Sequence, residues 1–186
     1  MIRSLLIFFL ITTMLFCSAY KKPFRYEIKA EPNAYVHNNR GLDYLKDRVY
    51  YAAVQEFKIA ISLSPSTQAS AIFYNNLGET YMFMQYPDLA LDCFENAVKL
   101  YGLNFKYYIN LANCYKAKGV DIIKIKEFST SQDVYDRIKL GILYVNNGEI
   151  RKGINTLDEI CVTEPDLLIT PAIKQYIKEI IRNNPS

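Results

Sequence analysis

Apolar and small side chains recur along most of the chain at the spacings of amphipathic helices. One series runs Leu77, Gly78, Tyr81, Ala90, Phe94 and Ala97. The same series occurs 37 positions earlier as Gly41, Tyr44, Ala53, Phe57 and Ala60, and it returns later as Leu140, Gly141, Tyr144, Gly153 and Leu157. Leu111, Ala112 and Tyr115 open a further, shorter copy. Repetition of this kind predicts an array of paired helices.

Small residues stand at the places where the paired helices would cross. They are Gly41, Gly78, Ala112 and Gly141 on the first helix of each pair, and Ala53, Ala90 and Gly153 on the second helices. Two helices approach closely only where the facing side chains are small. A single pair cannot bury its apolar face, so the pairs are expected to stack on one another.

These series resemble the tetratricopeptide repeat, whose signature is a hydrophobic and small pair, a tyrosine, then an alanine, an aromatic residue, an alanine and a proline. The resemblance covers about residues 34–165 and implies an all-α fold, a right-handed αα superhelix of about four helix pairs. The repeat domain is expected at 34–186, with pairs near 34–67, 71–104, 105–133 and 134–167. Residues 171–183, apolar on one face, are expected to form a C-terminal capping helix.

The third pair departs from the pattern. Ala112 and Gly141 are only 29 residues apart, fewer than the usual 34. Lys124 stands where the second helix should carry a small residue, and the polar residues Thr130, Ser131 and Gln132 follow soon after. We therefore expect an irregular third pair.

The first nineteen residues are unlike the rest of the chain. Arg3 is followed by an uncharged apolar run from Leu5 to Phe16, which is too short to span a membrane as a helix, and Ala19 suits the site of a signal peptidase. Residues 1–19 are therefore interpreted as a signal peptide and 20–33 as an extended leader, which predicts an exported protein, periplasmic or secreted. The alternative is an uncleaved membrane anchor formed by residues 4–19.

Composition and charge narrow the function further. The chain has 186 residues and a net charge of only +3, with no basic run that could follow a row of phosphates, so nucleic acid is not an expected partner. Membrane contact is expected only through the N-terminal segment, if that remains uncleaved. The sole histidine, His37, has no metal-ligand spacing around it and is interpreted as a packing residue. We expect no enzyme activity, no metal and no cofactor.

The family resemblance implies a concave surface lined by the first helices, with an asparagine before each hydrophobic and small pair. Those positions hold Asn39, Asn76 and Asn110, and the fourth holds Lys139. An amide both donates and accepts hydrogen bonds, so a spaced row of amides can bind the backbone of a peptide. The predicted partner-binding groove consists of Asn39, Asn76, Glu79, Phe83, Asn110, Asn113 and Lys139, and its partner is a peptide or helix of another protein.

Two alternatives to this adaptor function stay open. The chain could be a structural or assembly subunit of a cell-envelope or secretion complex, bound through its convex face or its ends. It could also carry out thiol chemistry through a disulfide between Cys93 and Cys114, although a cysteine on such a helix is more often an inert buried thiol.

Overall fold

Nine α-helices make up the ordered elements in the part of the chain that the structure describes, and no strand occurs there. The computed structural model describes residues 26–27 and 29–184. The helices are α1 (Ala34–Lys46), α2 (Tyr50–Leu63), α3 (Gln68–Phe83), α4 (Pro87–Leu100), α5 (Phe105–Lys118), α6 (Asp121–Phe128), α7 (Val134–Asn146), α8 (Ile150–Thr163) and α9 (Thr170–Asn183). The predicted all-α superhelix of four pairs and a capping helix is confirmed.

The helices belong to a unit that starts at Glu31. The described residues before it, Tyr26, Glu27, Lys29 and Ala30, form neither helix nor strand. The predicted signal peptide at 1–19 and half of the predicted leader, residues 20–25 and 28, lie outside the described residues.

Each first helix of a pair begins at a side chain that caps it. The side chain of Asn33 accepts from the backbone N–H of Tyr35, and that of Asn104 accepts from the backbone N–H of Lys106. Thr67 and Asp133 cap α3 and α7 in the same way. These caps satisfy backbone donors that have no partner inside the helix, and they set where each pair starts.

The second helices have no side-chain caps and begin instead from a tight turn. One residue in each turn has a left-handed backbone, namely Arg48, Gln85, Gly119 and Gly148. The residue after it donates its N–H to a carbonyl oxygen of the first helix, and in all four pairs that oxygen belongs to the repeated tyrosine, namely Tyr44, Tyr81, Tyr115 and Tyr144. This is the Schellman arrangement, which satisfies the last carbonyls of the first helix and turns the chain back on itself.

Glycine allows the closest approach between paired helices. A Cβ atom added to Gly78 would lie 2.7 Å from Cε1 of Phe94, and one added to Gly41 would lie 2.6 Å from Cε1 of Phe57. In the fourth pair Gly141 meets Leu157 in the same way. The predicted crossings at Gly41, Gly78 and Gly141 are therefore confirmed, because the large side chain sixteen positions later fills the space that a Cβ would need.

The third pair is irregular, as its short spacing predicted. Its second helix, α6, has only 8 residues and ends at Phe128. Ala112 on α5 is fully buried, and α5 lies directly against α7 as well as against α6. Residues 129–133 connect α6 to α7 without helix.

Helix α9 closes the array. Its residues Ile173, Ile177 and Ile180 are buried, and the helix packs on α8. It also reaches α5, where the ring of Tyr176 meets that of Phe105 at a centroid distance of 5.2 Å. Within the described residues, no helix is both long enough and apolar enough to cross a membrane.

Candidate functional site

Asparagine side chains join successive first helices across their shared face. Asn76 Nδ2 on α3 donates to Asn38 Oδ1 on α1 at 2.8 Å. Asn110 Nδ2 on α5 donates to Asn75 Oδ1 on α3 at 2.8 Å. Asn146 Nδ2 on α7 donates to an asparagine of α5, Asn113 Oδ1, at 2.9 Å. We call these six residues the amide ladder, and it links α1, α3, α5 and α7.

The amide ladder changes what the predicted asparagine row can do. Asn110 uses its Nδ2 group for two bonds inside the protein, to Asn75 Oδ1 and Glu79 Oε1, each at 2.8 Å. No described residue donates to its Oδ1 atom, which is therefore an acceptor for a ligand. Asn113 has the complementary arrangement, because its Oδ1 accepts from Asn146 and its Nδ2 group donates to no residue in the described part of the chain.

Glu79 is the most highly connected side chain on this face. Its Oε1 atom accepts from Asn75 Nδ2 at 3.0 Å and from Asn110 Nδ2 at 2.8 Å. Lys106 Nζ lies 2.7 Å from the same oxygen. The carboxylate is thus held in place by groups from both α3 and α5.

A small cavity of about 190 Å³ opens beside Glu79. It is lined by Glu79, Met82, Phe83, Phe94, Asn110 and Asn113. Phe94 is almost fully buried and forms an apolar floor, whereas Phe83 is 61% exposed at the edge. We call this cavity the α3–α5 pocket. An apolar surface with a few fixed polar groups is the usual composition of a binding pocket.

Four of the seven predicted groove residues therefore meet in one pocket, and three do not. Asn39 is exposed on α1, and Asn76 is buried in the amide ladder. Lys139 forms an ion pair with Asp136 on its own helix at 2.6 Å, and its ammonium group lies 4.6 Å from the centre of the Phe128 ring. Its nearest carboxylate is thus internal to the protein.

The pairing of Lys139 also affects the acidity of Asp136. Partial burial favours a raised pKa for this carboxyl group, but hydrogen bonds from Lys139 and Ser131 outweigh burial and hold the pKa below its ordinary value. The carboxylate is therefore charged at neutral pH and remains paired with Lys139.

A larger cavity of about 490 Å³ lies between α5 and α9. Its apolar lining includes Phe105, Ile109 and Tyr176, and its charged lining residues are Lys106 and Glu179. Lys106 therefore stands between this cavity and Glu79 of the α3–α5 pocket. The capping helix, which sequence analysis assigned only to closing the array, also forms a wall beside the predicted groove.

Cys93 and Cys114, the two residues of the possible disulfide, are free thiols in the structure. Both are buried, and Cys114 Sγ donates to the carbonyl oxygen of Pro87 at 3.3 Å. Burial raises the pKa of Cys93 to about 12 and that of Cys114 to about 11. A thiol is nucleophilic only as its thiolate, so both cysteines are expected to be unreactive at neutral pH.

His37 is buried in α1, and it also forms a polar link between α1 and α2. Its Nδ1 atom lies 2.5 Å from Glu56 Oε2, and its Nε2 atom lies 2.9 Å from the carbonyl oxygen of Glu31. Both His37 and Glu56 are 1% exposed. Because both ring nitrogens have partners inside the protein, this histidine has a structural role that goes beyond packing.

The residues that sequence analysis missed are those that complete the network. Asn38 and Asn75 fix the amides, Lys106 pairs with the carboxylate, and Phe94 supplies the pocket floor. One signal was present in the sequence, because the doublets Asn38–Asn39 and Asn75–Asn76 occupy equivalent repeat positions 37 residues apart. A repeated doublet indicates that one amide can face a neighbouring helix while the other faces elsewhere.

Comparison with known proteins places the architecture in a class. No family model matches the chain, and no curated protein matches it. The solved structure of pilF from Pseudomonas aeruginosa is similar with a TM-score of 0.50 and 16% sequence identity, over 78% of this chain and 67% of that one. MamA has a TM-score of 0.49 at 16% identity, over 80% of this chain and 90% of that one.

A further similar structure is YrrB, a TPR protein with an unusual peptide-binding site. It has a TM-score of 0.46 at 20% identity, over 77% of this chain and 75% of that one. At these identities the likeness concerns the fold. The chain has the fold of an all-α helical-repeat protein of tetratricopeptide type, closed by a capping helix.

Proposed function

We propose that this chain is an adaptor that binds a peptide or helix of another protein in the α3–α5 pocket. The observation that supports the proposal most directly is the exposed ring of Phe83 beside an apolar floor, at the edge of a pocket whose polar groups are already fixed. An aromatic anchor beside a desolvated pocket is the usual centre of binding energy in a protein interface. The proposal assigns no catalytic step to the chain.

The polar groups of the pocket suit a polypeptide ligand. Asn110 Oδ1 can accept a backbone N–H, and Asn113 Nδ2 can donate to a backbone carbonyl. Both amides are held by the amide ladder before a ligand arrives, so little side-chain freedom is lost on binding. The two amides can therefore bind backbone groups of a ligand of any sequence, and the apolar floor favours a ligand with an apolar side-chain surface next to those groups.

The test is selection of peptides from a random displayed library on the full purified chain, followed by affinity measurement with synthetic peptides. Truncation of Phe83 to alanine should weaken binding at least tenfold, because it removes the exposed anchor. Ile122→Ala, a matched truncation of an exposed apolar residue on α6, should leave binding unchanged. The proposal fails if the selection yields no binders, or if both variants weaken binding equally.

A second candidate function is favoured by apolar side chains exposed outside the pocket. Ile122 and Ile123 on the shortened helix α6 are 65% and 66% exposed. Exposed apolar side chains that lie together form a patch, and apolar patches mark interaction surfaces more often than single exposed side chains do. If the chain is a subunit of an envelope or secretion assembly, chemical cross-linking in its native extract should join it to partner proteins. The Ile123→Lys variant should lose these cross-links, whereas the Phe83→Ala variant should keep them.

We further propose that the chain is exported, either to a periplasm or out of the cell. The support is the apolar run in residues 1–19, which lie outside the described part of the chain. Intact mass measurement of the protein from its native cells should show a chain that begins at Tyr20. A full-length mass together with membrane fractionation would favour an anchor formed by residues 4–19.

A further inference from the structure

The two carboxylate oxygens of Glu79 have very different surroundings. Oε1 accepts from Asn75 Nδ2 and Asn110 Nδ2, and Lys106 Nζ forms an ion pair with the same oxygen at 2.7 Å. Among the described residues, no group donates to Oε2. A carboxylate oxygen can accept two hydrogen bonds, so Oε2 is an open acceptor of a charged group that lines the α3–α5 pocket.

The neighbours of Glu79 hold this acceptor in place. Asn75 is 3% exposed and joins Glu79 along α3, and Asn110 joins it from α5. The Glu79 side chain is 25% exposed, so a ligand can reach it without unfolding any helix. A ligand that donates to Oε2 therefore meets a carboxylate whose orientation is already set.

Lys106 satisfies only part of the charge of Glu79. Its side chain is 62% exposed, and its Nζ atom lies 2.7 Å from Oε1. An exposed ion pair of this kind contributes little and exchanges readily with other partners. A second cation that approaches Oε2 therefore competes only with water and with a weakly held lysine.

The apolar walls of the pocket restrict which cation fits. Met82 and Phe94 offer surface for an aliphatic stem. Phe83, whose ring stacks on that of Tyr50 at a centroid distance of 6.1 Å, lines the same pocket and is 61% exposed. An arginine has a three-carbon stem, a planar guanidinium group that donates to a carboxylate, and a strong tendency to lie against aromatic rings. A small ammonium ion would leave the walls uncovered.

We propose that the polypeptide bound in the α3–α5 pocket inserts an arginine there, with its guanidinium group donating to Glu79 Oε2 and its stem packing on Met82 and Phe83. This inference rests on the proposed function of the same pocket, and it adds the chemistry of the segment that is recognised. Specificity then comes from one basic residue flanked by backbone contacts to Asn110 and Asn113.

The experiment uses the peptides selected on the full chain and a double-mutant cycle. An arginine should be enriched at one peptide position, and its replacement by citrulline, a neutral residue of the same shape, should weaken binding about tenfold. Glu79→Gln keeps one acceptor oxygen for Asn75 and Asn110 and replaces Oε2 by a donor, so it should cost a similar factor. Because both changes remove the same contact, the Glu79→Gln variant should not discriminate between the arginine and citrulline peptides.

Lys106→Met provides a test with the opposite sign. Removing the competing cation should strengthen binding of the arginine peptide about twofold to fivefold, because the carboxylate loses its internal partner. A merely structural role of the Glu79–Lys106 pair predicts unchanged or weaker binding. Thermal unfolding of each variant checks that the helices remain intact.

The outcomes separate this inference from the function on which it rests. Selected peptides that depend on Phe83 but carry no enriched arginine, or that keep the same affinity for the Glu79→Gln variant, would overturn the inference and leave the adaptor function standing. Enrichment of acidic residues would overturn it as well, since it would point to Lys106 as the ligand contact. Peptides that ignore Phe83 altogether would remove the pocket from both proposals.

Discussion

Gly78→Ala is the substitution that tests the helix crossings most directly. In an ordinary helix this change stabilises the protein, since alanine is better than glycine in a helix interior by about 1 kcal/mol. Gly78 is buried and faces the ring of Phe94 across the second pair, so the added methyl group has no free space. Two effects of opposite sign therefore compete at one position.

The magnitude follows from the distances at the crossing. The new Cβ atom would lie 2.7 Å from Cε1, 2.9 Å from Cδ1 and 3.0 Å from Cζ of Phe94. Carbon atoms in favourable contact are about 3.5–4.0 Å apart, so the ring or the helix must move by about 1 Å. Phe94 is 1% exposed and cannot swing into solvent. Overpacking costs about 1–3 kcal/mol, and a shift of about 1 Å at a fully buried ring belongs to the upper part of that range, about 2–3 kcal/mol. Subtracting the helix gain of about 1 kcal/mol leaves an expected net loss of about 1–2 kcal/mol.

The assay is urea unfolding followed by circular dichroism, in two backgrounds. In the wild-type background Gly78→Ala should lower the free energy of unfolding. In a Phe94→Val background the three nearby ring carbons are gone, and the same change should raise it by about 1 kcal/mol because only the helix preference remains. The expected signature is therefore a change of sign between the two backgrounds.

A Gly78→Ala variant whose free energy of unfolding equals or exceeds that of the wild type would refute this reasoning. It would mean that the two helices can separate by an ångström at little cost, and that glycine does not set the distance within a pair. Loss of stability in both backgrounds would show that the strain lies elsewhere than at Phe94.

Three further predictions concern other parts of the array. His37→Leu should lower the free energy of unfolding by about 3–5 kcal/mol, because it leaves Glu56 buried without a partner. The double variant His37→Leu with Glu56→Met should lose less stability than His37→Leu alone. Urea unfolding measures both. Cys93 and Cys114 should resist alkylation in the native protein at pH 8, because pKa values of about 12 and about 11 leave no more than about one thiol in a thousand ionised. Mass measurement follows the labelling. Rapid labelling, or formation of a disulfide after mild oxidation, would contradict this prediction. Gln85→Gly should raise the urea midpoint slightly, since Gln85 has φ of 63° and a left-handed backbone costs a non-glycine residue about 1 kcal/mol, whereas an unchanged or lower midpoint would show that the turn is not strained.

Local chemistry explains why so much of the fold could be predicted. Asn33 and Asn104 have a residue type that favours helix N-caps and they cap α1 and α5, and Pro87 occupies the first turn of α4. Positions where paired helices cross, such as Gly78, require a small side chain, and this requirement shows in the sequence as small residues at the repeat spacing. The short interval between Ala112 and Gly141 predicted the irregular third pair, because fewer residues between two crossings leave room for only a shorter second helix.

The candidate site was predictable only in part. The repeat register identified Glu79, Phe83, Asn110 and Asn113 as residues of one face, and they line one pocket. Register cannot say which of two adjacent asparagines faces a neighbouring helix, since both are long enough to reach it. It also assigned Lys139 to the ligand without showing that Asp136, three residues earlier on the same helix, would pair with it.

The sequence by itself determined the helix pairs, their crossings and their turns, because each depends on residues that are close in the chain or repeated at a constant interval. Only the tertiary structure decided how the polar groups are used, since each rung of the amide ladder joins residues from 33 to 38 positions apart. The same holds for the approach of Tyr176 on α9 to Phe105 on α5. Hydrogen bonds depend on distances of a few tenths of an ångström between helices, and such distances follow from the curvature of the whole stack, which no local pattern in the chain specifies.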